Sequence, residues 1–178
     1  AYRAAHELVV AGIAMRRIRT KPARAALVRA ERAAQRAGIP ALTAEVENAS
    51  LHLKAPAARL IRRGEERSLL LGEVEALLAS KTLVVDGCRH VVRQGRTVVS
   101  LARRPVLFAL ARALAEAWPG DVARDTLVAR AFRGKRADES YRARLRVEIG
   151  RLRTMLRPLA GVSARSEERR GGKECRSR

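Results

Sequence analysis

Five arginines fall within the sixteen residues YRARLRVEIGRLRTML (141–156), at positions 142, 144, 146, 151 and 153. A guanidinium group is planar, always charged and rich in paired donors, so its chemistry is to grip phosphates or the O6/N7 edge of guanine. Laid on a helix at about 100° per residue, Leu145, Ile149, Leu152 and Leu156 line up as one stripe, a core face. Arg142, Arg146, Arg153 and Arg157 run along one side of it, and Arg144 and Arg151 along the other. Between the two basic rows lie Ala143, Val147, Gly150 and Thr154, all small. Such a helix suits a major groove, because small side chains permit close approach while long basic ones reach phosphates and base edges. A solvated surface helix is the plainer reading, but it ordinarily mixes signs, with Glu four residues ahead of Arg. Here Glu148 is the one acidic residue between 141 and 157. Asp138 and Glu139 stand where the helix begins, suited to its dipole and to capping.

Other reactive side chains make poorer sets. Cys88 and His90 lie two residues apart with no further Cys or His nearby, whereas zinc takes about four ligands. His6 and His52 are single histidines on helical segments, and GRTVVS and GGKE lack the phosphate-loop spacing G-x-x-x-x-G-K-[ST]. No Ser/His/Asp set stands out. The expectation is a protein with no catalytic residues, no metal site and no cofactor.

The elements that must position the arginines emerge along the chain. Residues 1–80 read as helices throughout. Ala1, Ala4, Ala5, Leu8, Val9 and Ile13 follow one face of a 3.6-residue period, Lys21-Pro22 breaks it, and PARAALVRAERAAQRAG runs to Gly38. Pro40 opens PALTAEVENASLHL, as proline suits a first helical turn. After breaks at Ala55-Pro56 and Gly64, RSLLLGEVEALLAS reads as a last helix. Short helices with small contact residues resemble a tetratricopeptide-type array, without a clean repeat of about 34 residues. Residues 81–100 change character: LVVDG, RHVVRQG and RTVVSL are Val-rich, punctuated by Gly87 and Gly95, and predict strands joined by hairpins. Helical periodicity returns in RRPVLFALARALAEAW, stops at Pro119-Gly120 and resumes in ARDTLVARAF, with Phe108, Trp118 and Phe132 as candidate core residues. The basic loop RGKRADES (133–140) leads into the arginine-rich helix.

Charge points the same way. The chain of 178 residues carries a net +20 with a pI near 11.6, which implies a polyanionic partner. GC-rich coding inflates Ala and Arg together and accounts for part of the excess. Residues 1–80 hold 14 basic and 8 acidic residues, +6; residues 81–164 hold 18 and 7, +11. The excess is therefore concentrated where the strands and the arginine-rich helix lie. Two cysteines cannot build a disulfide scaffold, which favours a reducing cytoplasm. LVVAGIAM (8–15) and the other apolar runs are too short to span a bilayer, and AYRAAHELVV lacks a signal peptide's pattern. It reads as a start inside a helix.

The final fourteen residues, RSEERRGGKECRSR, have no aliphatic or aromatic side chain and add +3. That composition predicts disorder. The segment also resembles the translation of a common sequencing adapter, departing from it at Gly171, which implies that the native chain diverges after about Ala164.

On VVSLARRPVLFALARALAEAWPG, RDTLVARAF and IGRLRTML, residues 82–157 resemble the DNA-binding domain of OmpR/PhoB-type winged helix-turn-helix transcriptional regulators. The resemblance implies a mainly α protein. A helical, tetratricopeptide-like segment (1–80), acting as a sensor, interaction or dimerisation module, precedes an α+β winged domain (81–164) with a small antiparallel sheet, and a tail (165–178) follows. It implies a bacterial regulator binding double-stranded DNA through a recognition helix over 139–157. Arg151 and Val147 would face bases, Arg144 the same groove side, and Arg153 a phosphate. Arg142, Arg146 and Thr154 join them from helical geometry. The loop residues Arg133, Lys135 and Arg136 would touch DNA backbone or RNA polymerase. The family's wing is missing after RPLAGVSA, and residues 1–80 contain no Asp, which argues against phosphorylation control by a receiver domain. A homodimer through the N-terminal helices fits this organisation, and no membrane is implied. The alternative is a helical-repeat module whose winged domain docks an acidic protein. Structured RNA fits less well, since aromatics for stacking are few.

Overall fold

The computed structural model describes residues 1–132 and 139–171, with side chains as far as residue 160 in the last stretch. The chain divides into two compact units, residues 1–60 with 66–77, and residues 61–65 with those from 78 onward. The fold is mainly helical with two small antiparallel sheets. Among the described residues, no helix is long and apolar enough to cross a membrane.

The first unit is built on alanine. α1 (Tyr2–Arg16) and α2 (Thr20–Ala37) meet through Ala4, Ala11, Ala26 and Ala30, all fully buried, and Leu27 of α2 and Val46 of α3 (Pro40–Lys54) pack beside them. Each contact lacks bulk, so the backbones close on one another and dispersion contacts stand in for large side chains. Pro40 occupies the first turn of α3 as expected, and Gly38 ends α2 at φ 63°, its N–H bonded to the carbonyls of Ala34 and Gln35. The α1 face differs from its expected one. Val9 and Ile13 are exposed, and Ala4, Glu7, Ala11 and Ala14 point inward, because alanine, not the larger aliphatics, matches the narrow α1–α2 gap. Glu7 is tolerated there by an ion pair with Arg29 at 2.9 Å. Pro22 does not break the chain, since the break lies at residues 17–19 and Pro22 falls in the first turn of α2.

Residues 56–70 correct the all-helical reading of 1–80. They form β1 (Pro56–Arg62) and β2 (Glu65–Leu70), a two-stranded antiparallel sheet. The physical cause is the two-residue turn Arg63-Gly64, with φ 54° and 79°, the conformation that matches strand twist in tight hairpins. A helix resumes only at α4 (Leu71–Ala79). Its Glu75 reaches back to cap α2, accepting hydrogen bonds from the Thr20 N–H (2.9 Å) and hydroxyl.

The second unit follows the expected order. β3 (Leu83–Asp86), β4 (Val91–Gln94) and β5 (Thr97–Ser100) form an antiparallel sheet in the order β3-β4-β5, with Val85 opposite Val92 and Val92 opposite Val99. The β3–β4 turn is closed by Asp86, whose carboxylate accepts the N–H groups of Cys88 and Arg89. α5 (Pro105–Ala117), α6 (Arg124–Ala131) and α7 (Glu139–Gly171) then close one core with Val92, Leu101, Leu110, Val128, Leu145 and Leu152. Phe108 and Phe132 belong to it as expected. Trp118 does not: it caps α5 and is 70% exposed.

α7 also outruns its expected end at 157. Pro158 removes one backbone donor, but Leu159 is buried in the same core seven residues after Leu152, so packing carries the helix past the proline. α7 runs to Gly171, past residue 165, where the composition predicts the tail to begin. Between Gly161 and Gly171 the chain has no glycine or proline, and its Glu and Arg residues are good helix formers. Residues 172–178 lie outside the described residues, and among the described ones no strand follows α7.

Candidate nucleic-acid interface

The face of α7 that its sequence separates from the core is open in the structure. Leu145, Leu152 and Leu159 are buried, and Ile149, Met155 and Leu156 pack beside them. On the opposite side Ala143, Val147, Gly150 and Thr154 are all exposed, Val147 by 54%. A Cβ added at Gly150 would meet nothing within 4 Å, so nothing inside this chain requires glycine there. Thr154 turns its hydroxyl back to the carbonyl of Gly150 (3.1 Å), which keeps the strip low. Arg142, Arg144, Arg146, Arg151, Arg153 and Arg157 are exposed on the two flanks.

Those arginines are not equivalent. Arg142 reaches the Asp125 carboxylate on α6 at 3.4 Å, and Arg146 pairs with Glu139 one helical stretch earlier at 3.1 Å. Arg151 pairs with Glu148 at 2.8 Å; this carboxylate is only 12% exposed, in a shallow groove of about 190 Å³ beside the start of α5. Arg144 lies over the ring of Phe132, 4.9 Å from its centroid, and that ring in turn leans on Tyr141 at 5.4 Å. Such a cation–π contact restrains a long side chain at modest cost. Arg153 and Arg157 have no acidic partner among the described residues.

The structure thus brings Arg142, Arg144, Arg146, Val147, Arg151, Arg153 and Thr154 onto one continuous surface. The loop residues Arg133, Lys135 and Arg136, and Asp138, lie outside the described residues. Sequence reasoning missed the pairing of these arginines with carboxylates. Glu148 was legible, sitting three residues before Arg151 on the same helix, but Asp125 is seventeen residues from Arg142 and only the α6–α7 packing reveals it. It also missed the seat of Arg144, because Phe132 was read only as core.

A second exposed ion-pair cluster lies on α5 and α6, where Glu116 bridges Arg112 and Arg130. Burial raises the Glu116 pKa, but the two guanidinium hydrogen bonds outweigh it and hold the carboxyl below its ordinary value. Cys88 and His90 have different surroundings. Cys88 is exposed, while the His90 ring packs edge-on to Phe108 at 4.6 Å. His52 is bonded to the carbonyl of Asn48, and among the described residues no three His, Cys, Asp or Glu side chains gather around a common point. Comparison with protein-family models, with curated proteins and with solved structures gives no match to this chain.

Proposed function

We propose that the chain is a sequence-specific binder of double-stranded DNA, a transcriptional regulator of the winged helix-turn-helix type working in the bacterial cytoplasm, with α7 in the major groove. One observation carries this reading: a low, exposed strip of small residues with a mid-helix glycine, flanked on both sides by exposed arginines and backed by a buried leucine stripe. The three-stranded sheet followed by α5, α6 and α7 is consistent with the winged-helix order and supports it. Val147 and Arg151 would meet base edges, with Arg144 on the same groove side and Arg142, Arg146 and Arg153 toward phosphates. Residues 1–80 would serve as the sensor, partner-binding or dimerisation module. Their paired α1–α2 hairpin agrees with a tetratricopeptide-like unit, while the β1–β2 hairpin departs from one.

The experiment is a salt titration of duplex binding by the full chain. Arg151→Ala and Arg144→Ala are expected to cost about 1–3 kcal/mol each and to relax base preference, whereas Arg153→Ala should flatten the salt slope by about one. Binding indifferent to all three substitutions would remove the recognition-helix assignment, and affinity for an acidic protein without duplex affinity would favour a docking role.

A further inference from the structure

The arginines of α7 are unequally available, and the inequality follows a pattern. On the row formed by Arg142, Arg146, Arg153 and Arg157, the first two are held by carboxylates, and the last two have no acidic partner among the described residues. We propose that Asp125 and Glu139 are specificity-determining residues: each occupies an arginine in the place of a phosphate and so weakens binding to DNA of arbitrary sequence. The proposal rests on the reading of α7 as a DNA-facing helix.

Asp125 and Glu139 lie in the first turns of α6 and α7, where an acid suits the helix dipole, but that placement does not require either to pair with an arginine of α7. Their pairs are open to solvent, with side chains 65% and 75% exposed, and exposed ion pairs contribute little to a fold. Glu148 is the contrast, a largely covered carboxylate packed beside α5, and so is a fixed part of the unit's framework. Asp125 and Glu139 differ in standing on the open flank, where a duplex backbone would pass. A carboxylate offers the same charge sign and the same pair of acceptor oxygens as a phosphate edge, so it fits the guanidinium fork equally well.

The energetic consequence is selective. A duplex of any sequence can engage Arg153 and Arg157 at once. To engage Arg142 and Arg146 it must displace two carboxylates and then tolerate their charge nearby, which offsets the phosphate contact. Only a groove that also satisfies Val147, Arg144 and Arg151 supplies enough additional interaction to make that exchange favourable. Discrimination then comes from a penalty on wrong sequences as well as from contacts to right ones.

The test measures binding of the full chain to a random-sequence duplex across a salt series. Asp125→Asn with Glu139→Gln is expected to tighten binding by roughly tenfold and to steepen the salt slope by up to about two, as two more phosphates become engaged. Asp121→Asn, an exposed acidic residue of the same unit with no ion pair among the described residues, gives the control for bulk charge and should change affinity less than twofold. Arg142→Ala and Arg146→Ala should weaken binding little in the native background and strongly in the double variant, a coupling that a bulk charge effect does not produce. If the double variant matches the Asp121→Asn control while Arg153→Ala and Arg157→Ala still weaken binding, the carboxylate proposal is overturned and the α7 reading stands. If those two arginine substitutions change nothing, the α7 reading itself has failed, and this proposal with it.

Discussion

At the scale of single residues, exposure separates the side chains that hold α7 from those that would use it. Leu152 is 4% exposed, so Leu152→Ala should cost about 2–5 kcal/mol, read as a lower urea midpoint. Val147 is 54% exposed, and Val147→Ala should leave that midpoint within about 0.5 kcal/mol while weakening duplex binding. A stability loss at Val147 would return it to the core. Glu7 gives a pH signature. The Arg29 hydrogen bond holds its carboxyl below the ordinary value of 4.5, so the folded-state pKa lies below the unfolded one. The pair's contribution is therefore complete above the unfolded pKa and is lost as pH falls through the folded one. Glu7→Gln should lower stability at neutral pH and flatten the acid limb of a stability–pH curve below about 4.5.

At the scale of elements, Gly150 is the informative position. A mid-helix glycine costs about 1 kcal/mol relative to alanine, and nothing in the chain crowds a Cβ there. Gly150→Ala should raise the unfolding midpoint, and Gly150→Leu should remain folded yet lose duplex affinity by filling the strip. If Gly150→Leu binds as the native chain does, the strip does not face DNA. In the first unit, Ala26 is fully buried between α1 and α2, and Ala26→Leu should cost about 1–3 kcal/mol by forcing those helices apart, measurable by circular dichroism melting. The elements of the second unit were legible because their signals agree. Val-rich runs separated by Gly87 and Gly95 mark three strands, and the Leu/Ile period of 141–156 marks both the helix and its inner face. The β1–β2 hairpin was not legible, since its turn uses Arg63 at positive φ, which sequence does not advertise, and the leucines of 69–71 imitate a helix. The α1 face was lost for a related reason. Alanine carries little hydrophobic weight, yet small size was what the α1–α2 contact selected. Arg142–Asp125 depends on two helices meeting, which periodicity within either cannot express.

At the scale of the whole molecule, charge and cores are distributed differently. Each unit has its own buried clusters, alanine-built in the first and leucine- and aromatic-built in the second. The net charge of residues 81–164 is +11 against +6 for residues 1–80. On a preferred duplex, where Arg142, Arg146, Arg153 and Arg157 would all reach phosphates, binding through α7 predicts a log–log salt slope of about −3.6. Neutralising Arg153 and Arg157 together should reduce its magnitude by about two, whereas neutralising Arg24 and Arg32 on α2 should leave it unchanged. Equal effects from the two pairs would mean that the positive charge acts as a diffuse field and not through one helix.

Trp118 determines how such experiments can be watched. It is the chain's one tryptophan, and it stands at the end of α5 with most of its ring in water. Its emission should already be that of a wet indole in the folded protein, so unfolding should shift it little, and a flat fluorescence trace would not mean a resistant fold. Loss of helix must be followed by circular dichroism instead. The same exposure makes the ring a local probe, open to collisional quenchers in the native state and shielded only when a ligand covers the end of α5.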